Sequence, residues 1–234
     1  MRIQDQPAYI LHHRAFRDTS QILEVITPEH GRLSLMSRGS RGAKSRLKSI
    51  LQPFHPLIVS WSGKGEMPTL TSAESQTVKA LSLMGKALPS AFYINELIIK
   101  LFHKHDVNKR IYFLYESVIR LLADKNEIEP VLRLFEKQLL EELGFGLNLS
   151  VNTGTGEAIL PNDEYAYYLE HGPVNVLSVH DESYILKLSG KSLLDLNENT
   201  LDSEQSLKDA KRLMRVILNY YLEGKPIKSR ELFR

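Results

Sequence analysis

The sequence predicts an α+β fold, with strands first and helices after. Two observations carry this. Through residue 75, apolar residues sit in short runs between glycine-marked turns, and from about residue 76 they recur at helical spacing. In the first region Ala8-Tyr9-Ile10-Leu11 leads to a run over Ser20–Thr27, and Pro28-Glu29-His30-Gly31 supplies a turn. Arg32–Ser37 alternates strictly, as a strand with one buried face does. A run from Leu51 to Trp61 follows, then a Ser62-Gly63-Lys64-Gly65 turn and Thr69–Ala73. Five short strands in so little chain suit a small closed β-barrel, and a five-stranded OB-fold is the best-known solution of that size.

The second region reads as an α-helical bundle. Ala91–Phe102 has apolar residues at helical spacing, entered just after Pro89-Ser90. Asn108 can cap a second helix bearing Ile111, Phe113, Leu114, Val118, Ile119, Leu121 and Leu122. Pro130, at a first-turn position, opens a third helix that runs through Leu143 and stops at Gly144. Residues 144–190 are a mixed insertion: four glycines loosen its start, and Tyr165–Leu169 with Val174–Val179 can form a hairpin. A last helix runs from about Glu204 to Glu223, where Gly224-Lys225-Pro226 breaks it. The expected organisation is an OB-fold domain over 1–78 and a mainly helical domain over 79–234.

Composition bounds the chemistry. The chain has 234 residues, 42% hydrophobic and 25% charged, the balance of a globular protein able to bury a core. No apolar run approaches the roughly 20 residues that cross a bilayer, and the N-terminus lacks the apolar stretch of a signal peptide, so a cytoplasmic location is expected. Cysteine is absent, which removes disulfides, thiol nucleophiles and thiolate metal sites. His12-His13 and His103-x-His105 have spacings that cannot share a metal without distortion. Asp195, Glu198, Asp202 and Glu204 are too thinly spread to read as a magnesium cluster. Gly39-Ser40-Arg41-Gly42-Ala43-Lys44-Ser45 fails the spacing of a nucleotide phosphate loop, with two residues between its glycines where four are needed. Nothing in the sequence argues for an enzyme, a cofactor, a small-molecule substrate or a metal.

Charge is segregated along the chain. Residues 1–75 hold 10 Lys/Arg against 6 Asp/Glu, and residues 76–143 hold 10 against 9. Residues 144–204 hold 2 against 10, and residues 205–234 hold 8 against 3. The densest basic run spans Arg38, Arg41, Lys44, Arg46 and Lys48, with no carboxylate among them. A glycine-bearing cationic loop can lie along a phosphodiester backbone, because glycine permits close approach and each cation displaces a condensed counterion. On the last helix Lys208, Lys211, Arg212 and Arg215 share one face, and Lys225, Lys228 and Arg230 follow. Two basic surfaces favour a nucleic-acid contact over mere solubility. A protein–protein adaptor with incidental basic charge is the alternative, and a nuclease or ligase is disfavoured by the missing carboxylate cluster and reactive lysine.

An ordered set of segments resembles a known family. Asp18-Thr19-Ser20, His30-Gly31-Arg32, Arg38-Gly39-Ser40-Arg41, Leu51-Gln52-Pro53-Phe54, Tyr93-Ile94-Asn95-Glu96-Leu97, Arg133-Leu134-Phe135-Glu136, Leu143-Gly144-Phe145-Gly146 and Lys228-Ser229-Arg230-Glu231-Leu232 occur in that order. Together they resemble the bacterial recombination mediators of the RecO family over essentially the whole chain. The resemblance implies an N-terminal OB-fold, a helical domain and a role in DNA gap repair near the nucleoid. It implies binding of single- and double-stranded DNA, annealing of complementary strands, cooperation with RecR and contact with the C-terminal tail of the single-strand-binding protein SSB. It further implies help in loading RecA on SSB-coated DNA, with no bond broken. Some relatives hold zinc with four cysteines after the Leu-Gly-aromatic-Gly segment. This chain has none, so its residues 144–160 must be ordered otherwise.

The residues expected to do this work follow from charge and resemblance together. Arg38, Arg41, Lys44, Arg46 and Lys48, flanked by Arg14, Arg17 and Lys64, would contact phosphates from the barrel, and Lys211, Arg212, Arg215, Lys225, Lys228 and Arg230 would extend the track. The SSB tail is acidic with an aromatic end, so its receptor needs an apolar pocket rimmed by cations. Arg133 and Lys137, one helical turn apart beside Leu134 and Leu140, are the expected receptor. The resemblance itself singles out Arg133.

Overall fold

The computed structural model describes residues 2–76, 81–124, 127–179 and 183–233. The expected domain boundary at 78/79 therefore lies outside the described residues. By packing, the chain forms two compact units: Met1–Asn126 with Ile227–Arg234, and Glu127–Pro226.

In the first unit five strands close into a ring in the order β1-β2-β3-β5-β4. They are β1 (Arg2–Phe16), β2 (Ser20–Thr27), β3 (Gly31–Ser37), β4 (Leu57–Ser62) and β5 (Thr69–Ser75), with a single turn of helix, α1 (Leu47–Ile50), between β3 and β4. This is an OB-fold-like sheet. Its closure depends on the length of β1. The first half of β1 pairs antiparallel with β4, from Arg2↔Ser62 to Ala8↔Leu57. Its second half pairs with β2, from Tyr9↔Ile26 to Phe16↔Ser20. The remaining seam is short: Met36 pairs in parallel with Thr69, and the Met36 amide donates to the Pro68 carbonyl at 2.8 Å. Inside the ring, Ile10, Leu23, Val25, Leu33, Leu35, Leu57, Val59 and Trp61 form the hydrophobic core.

Two strand expectations are corrected. The run from Leu51 to Trp61 becomes strand only at Leu57, because Phe54 takes a left-handed φ of 69° and breaks the extension. The alternation in β3 does not mark an exposed face, since Arg32 and Ser34 are buried at 9% and 4% exposure. What covers them is the segment that follows α2 (Ala87–Leu101). Arg32 Nε donates to the Phe102 carbonyl at 2.7 Å, and the His105 amide donates to the Arg32 carbonyl at 2.8 Å. Glu24 gathers Arg32, Ser34 and Lys104 around one carboxylate. Gly31 lets this segment approach, because a Cβ there would fall 1.7 Å from the Asp106 carbonyl oxygen.

Helix α2 and helix α3 (Lys109–Asp124) belong to the same unit and cover the outer face of β1. Tyr9 packs at 5.7 and 5.1 Å, centroid to centroid, against Tyr112 and Tyr115, and its hydroxyl donates to Glu116. Asn95 Nδ2 donates to the Leu11 carbonyl at 2.7 Å. Asn108 caps α3, accepting from the amides of Arg110 and Ile111. Helix α2 begins at Ala87 rather than after Ser90, so Pro89 lies in the first turn, where its missing N–H leaves no bond unmade.

The second unit holds α4 (Ile128–Glu142), a three-stranded sheet ordered β7-β6-β8, α5 (Gly190–Glu198) and α6 (Glu204–Tyr221). The sheet consists of β6 (Glu164–Tyr168), β7 (Gly172–Asn175) and β8 (Leu186–Ser189). The expected hairpin is there, but β7 ends at Asn175, whose side chain accepts from the Leu177 amide and turns the chain into a 3₁₀ helix. Gly144 ends α4 with a φ of 85°. Beyond it the cysteine-free stretch is ordered by polar turns. Buried Asn152 exchanges backbone bonds with Glu157 and Gly156, Val151 bridges Ala158, and Phe145 stacks on Tyr221 at 4.2 Å.

Candidate nucleic-acid interface

The basic run after β3 is a chain of tight turns rather than a slack loop. Gly42 donates to the Gly39 carbonyl, Ser45 to Gly42 and Lys48 to Ser45, each at 3.0–3.3 Å. Gly39 has a φ of 65°, and Ser40 is fully buried with its hydroxyl on the Ser37 carbonyl at 3.2 Å. The run is also pinned to the β1–β2 turn. The Arg41 amide donates to the Thr19 carbonyl at 2.8 Å, and its guanidinium to the carbonyls of Arg17 and Asp18. This brings Arg14, Arg17 and Arg41 to one end of the sheet.

All eight cations nominated on the sheet are exposed: Arg14, Arg17, Arg38, Arg41, Lys44, Arg46, Lys48 and Lys64. Among the described residues none of the eight is in an ion pair. Arg2 belongs with them, although the sequence pattern does not nominate it. It is exposed and pairs in register with Ser62, next to the Lys64 loop. A reading that began β1 at Ala8 could not place it.

The C-terminal cations behave differently. On α6, Lys208 is 2.6 Å from Glu204, Lys211 is 2.6 Å from Glu129 and Arg212 is 3.2 Å from Asp209. Lys225 is 2.8 Å from Glu223, which leaves Arg215 as the nominated cation there without an ion pair among the described residues. Lys228 and Arg230 belong to the first unit, where Lys228–Phe233 forms a 3₁₀ helix against α2. The amides of Lys228 and Ser229 donate to Glu96 at 2.9 and 2.7 Å, and the Arg230 guanidinium lies 5.8 Å from the centroid of the Tyr93 ring. Burial alone would raise the Glu96 carboxyl, but the Ser229 and Lys228 amides with Lys100 outweigh it and hold it below the usual carboxylate range.

Helix α4 does not present a rim of free cations. Arg133 is 9% exposed and bonds the fully buried Glu136 at 2.7 Å. Lys137 is also buried, and its ammonium donates to the carbonyls of Leu196 and Asn197 and to Asn199 Oδ1. Burial pushes that ammonium below its ordinary pKa, with Glu141 opposing. Leu140 is wholly buried and Leu134 half-buried. The i, i+4 spacing showed that Arg133 and Lys137 share a helix face. It did not show that the face turns inward.

Counted by unit, charge sorts more sharply than along the chain. The first unit holds 21 Lys/Arg against 11 Asp/Glu, and the second holds 9 against 17. The first is thus at +10 and the second at −8. The model described as Recombination protein O N terminal matches residues 1–78, and that described as Recombination protein O C terminal matches residues 85–231. The chain belongs to the RecO family. Proteins named DNA repair protein RecO are similar to it over more than nine-tenths of their lengths. The one from Nitrosococcus oceani is 41% identical, covering 99% of this chain and 93% of that protein. One from Coxiella burnetii is 42% identical, covering 99% and 98%, and one from Azoarcus sp. is 39% identical, covering 100% and 96%.

Within the RecO family framework the structure explains why two of the recognisable segments go together. Tyr93-Ile94-Asn95-Glu96-Leu97 and Lys228-Ser229-Arg230-Glu231-Leu232 are bonded to each other through Glu96 and Tyr93, and Asn95 ties α2 to β1. They hold the fold together. Among the described residues no helix is long and apolar enough to cross a membrane.

Proposed function

We propose that this RecO-family protein is a non-catalytic recombination mediator whose first unit grips the backbone of single- and double-stranded DNA. The observation that carries the reading is the set of eight exposed cations on the sheet and its loops, free of carboxylate partners among the described residues, on a unit of charge +10. Phosphate contact without a base-edge code gives affinity without sequence preference, as gap repair requires. The usual route for this sheet type runs across strands 2 and 3 and over the β1–β2 and β4–β5 loops, and the strand 2–3 part of it is covered in this protein. Here the outer faces of Glu24, Arg32 and Ser34 are occupied by residues 102–105, so the strand runs past the loop end, over Arg14, Arg17, Arg41 and Lys44. Lys228 and Arg230 lie on the same unit and extend the supply of charge. Lys211, Arg212, Arg215 and Lys225 contribute less, because most of them must first give up a carboxylate. Two strands held on one cationic surface repel each other less, and annealing follows. With RecR, the bound strand is handed to RecA after SSB is displaced.

The SSB tail docks on α4. Its aromatic end is met by half-buried Leu134, and its carboxylates by Arg133 once the buried Arg133–Glu136 pair opens. Lys137 and Leu140 support the site from below. Half-buried Leu134 gives the cleaner test: Leu134→Glu abolishes tail-peptide binding in a calorimetric titration and leaves naked-DNA affinity within about twofold. Parallel loss of both would merge the two sites. For DNA itself the test is electrophoretic mobility of a labelled oligonucleotide at moderate salt. An unshifted band would favour a protein–protein adaptor.

A further inference from the structure

At one end of the closed sheet lies a cavity of about 420 Å³, within the range of about 300–1,000 Å³ seen for small-ligand sites. Apolar Ile3, Leu33, Pro68 and Val107 line it together with Trp61 and His30, whose rings meet edge-on at 5.1 Å. Its rim includes the Gly63-Lys64-Gly65 turn, with Lys64 exposed and open space where a Gly65 side chain would be. His30 and His105 both line it, and an imidazole can donate or accept. Glu29 also lines it, but its charge is met by Lys109 at 2.6 Å.

We propose that this cavity is a socket for one unpaired nucleobase of a bound single strand. The inference rests on the DNA-binding reading above and adds to it a means of telling single strands from duplex. The apolar walls and Trp61 take the base, the imidazoles meet its polar edge, and Lys64 holds the adjoining phosphate. A paired, stacked base cannot enter without being unpaired first, which costs a few kcal/mol. A peptide side chain fits the walls less well, because it would bring no anion to Lys64 unless it were acidic nearby.

Trp61 is the only tryptophan in the chain, so its fluorescence reports the socket alone. The full-length protein is titrated with three end-labelled probes of about 16 nucleotides, an OB-fold site size: oligothymidylate, an abasic strand of the same length, and a duplex. Tryptophan emission and label anisotropy are read together. The expected result is saturable quenching by oligothymidylate only, with affinity about tenfold above the abasic strand, and a ratio near one for His30→Ala. Binding of oligothymidylate and abasic strand with equal affinity, or binding without quenching, overturns the socket and leaves backbone binding standing. Absence of binding by all three probes overturns both readings. Quenching by an acidic peptide with an aromatic end, but not by DNA, reassigns the cavity to a protein partner.

Discussion

Glu96 shows how one carboxylate can hold a chain terminus. It accepts from two consecutive amides of the C-terminal 3₁₀ helix, and charge-assisted bonds of this kind are worth about 1.5–3 kcal/mol each before solvent exposure is discounted. Because its folded pKa lies below the unfolded value, tail docking is fully present above the unfolded value and is lost as pH falls through the folded one. Hydrogen exchange of the Lys228 and Ser229 amides should therefore accelerate, relative to α2, as pH falls below the ordinary glutamate range. Glu96→Gln should show the same loosening at neutral pH, and unchanged protection would remove Glu96 from this role. Arg133 is the second instructive residue. Its partner Glu136 is fully buried, so Arg133→Met removes a 2.7 Å ion pair from a buried carboxylate and should cost about 3–5 kcal/mol in a denaturant titration. A loss below about 1 kcal/mol would mean that Arg133 is available to solvent and to ligands without structural cost.

Elements were legible where period and caps agree. The β2 span, the turn after it, the Asn108 cap on α3 and the start of α6 at Glu204 could all be read from the chain. The ends of β1 could not, because Arg2, Gln4, Asp5 and residues 12–15 are exposed and carry no apolar period. Strand β8 is four residues long and α5 only nine, too short for periodicity to declare either. The site was half legible. Cation density located the loop after β3, but Arg41's hold on Thr19 and Lys137's bonds some 60 residues away are set by tertiary partners that local spacing does not contain. Gly31 belongs to this scale as well. Gly31→Ala would drive a methyl into the Asp106 carbonyl and should free residues 102–106 from β3. Limited proteolysis should then cut near Lys104, which lies against Glu24 in the native protein. Continued resistance would show that the segment is held by other means.

For the whole molecule the governing fact is the partition of charge between the units, +10 against −8, while the chain as a whole carries only +2. An acidic second unit whose basic helix is already paired disfavours a polyanion there, and exposed ion pairs on α6 contribute little to stability that DNA could not replace. The central claim is that the first unit's free cations supply the DNA grip. It is tested by the slope of log affinity against log salt for single-stranded DNA. Replacing Lys44, Arg46 and Lys48 with alanine should flatten that slope by about two, at about 0.7 for each phosphate no longer neutralised. Replacing Lys211, Arg212 and Arg215 should change it by less than about one. A loop variant with the parent slope, or an α6 variant with the larger change, would contradict the account.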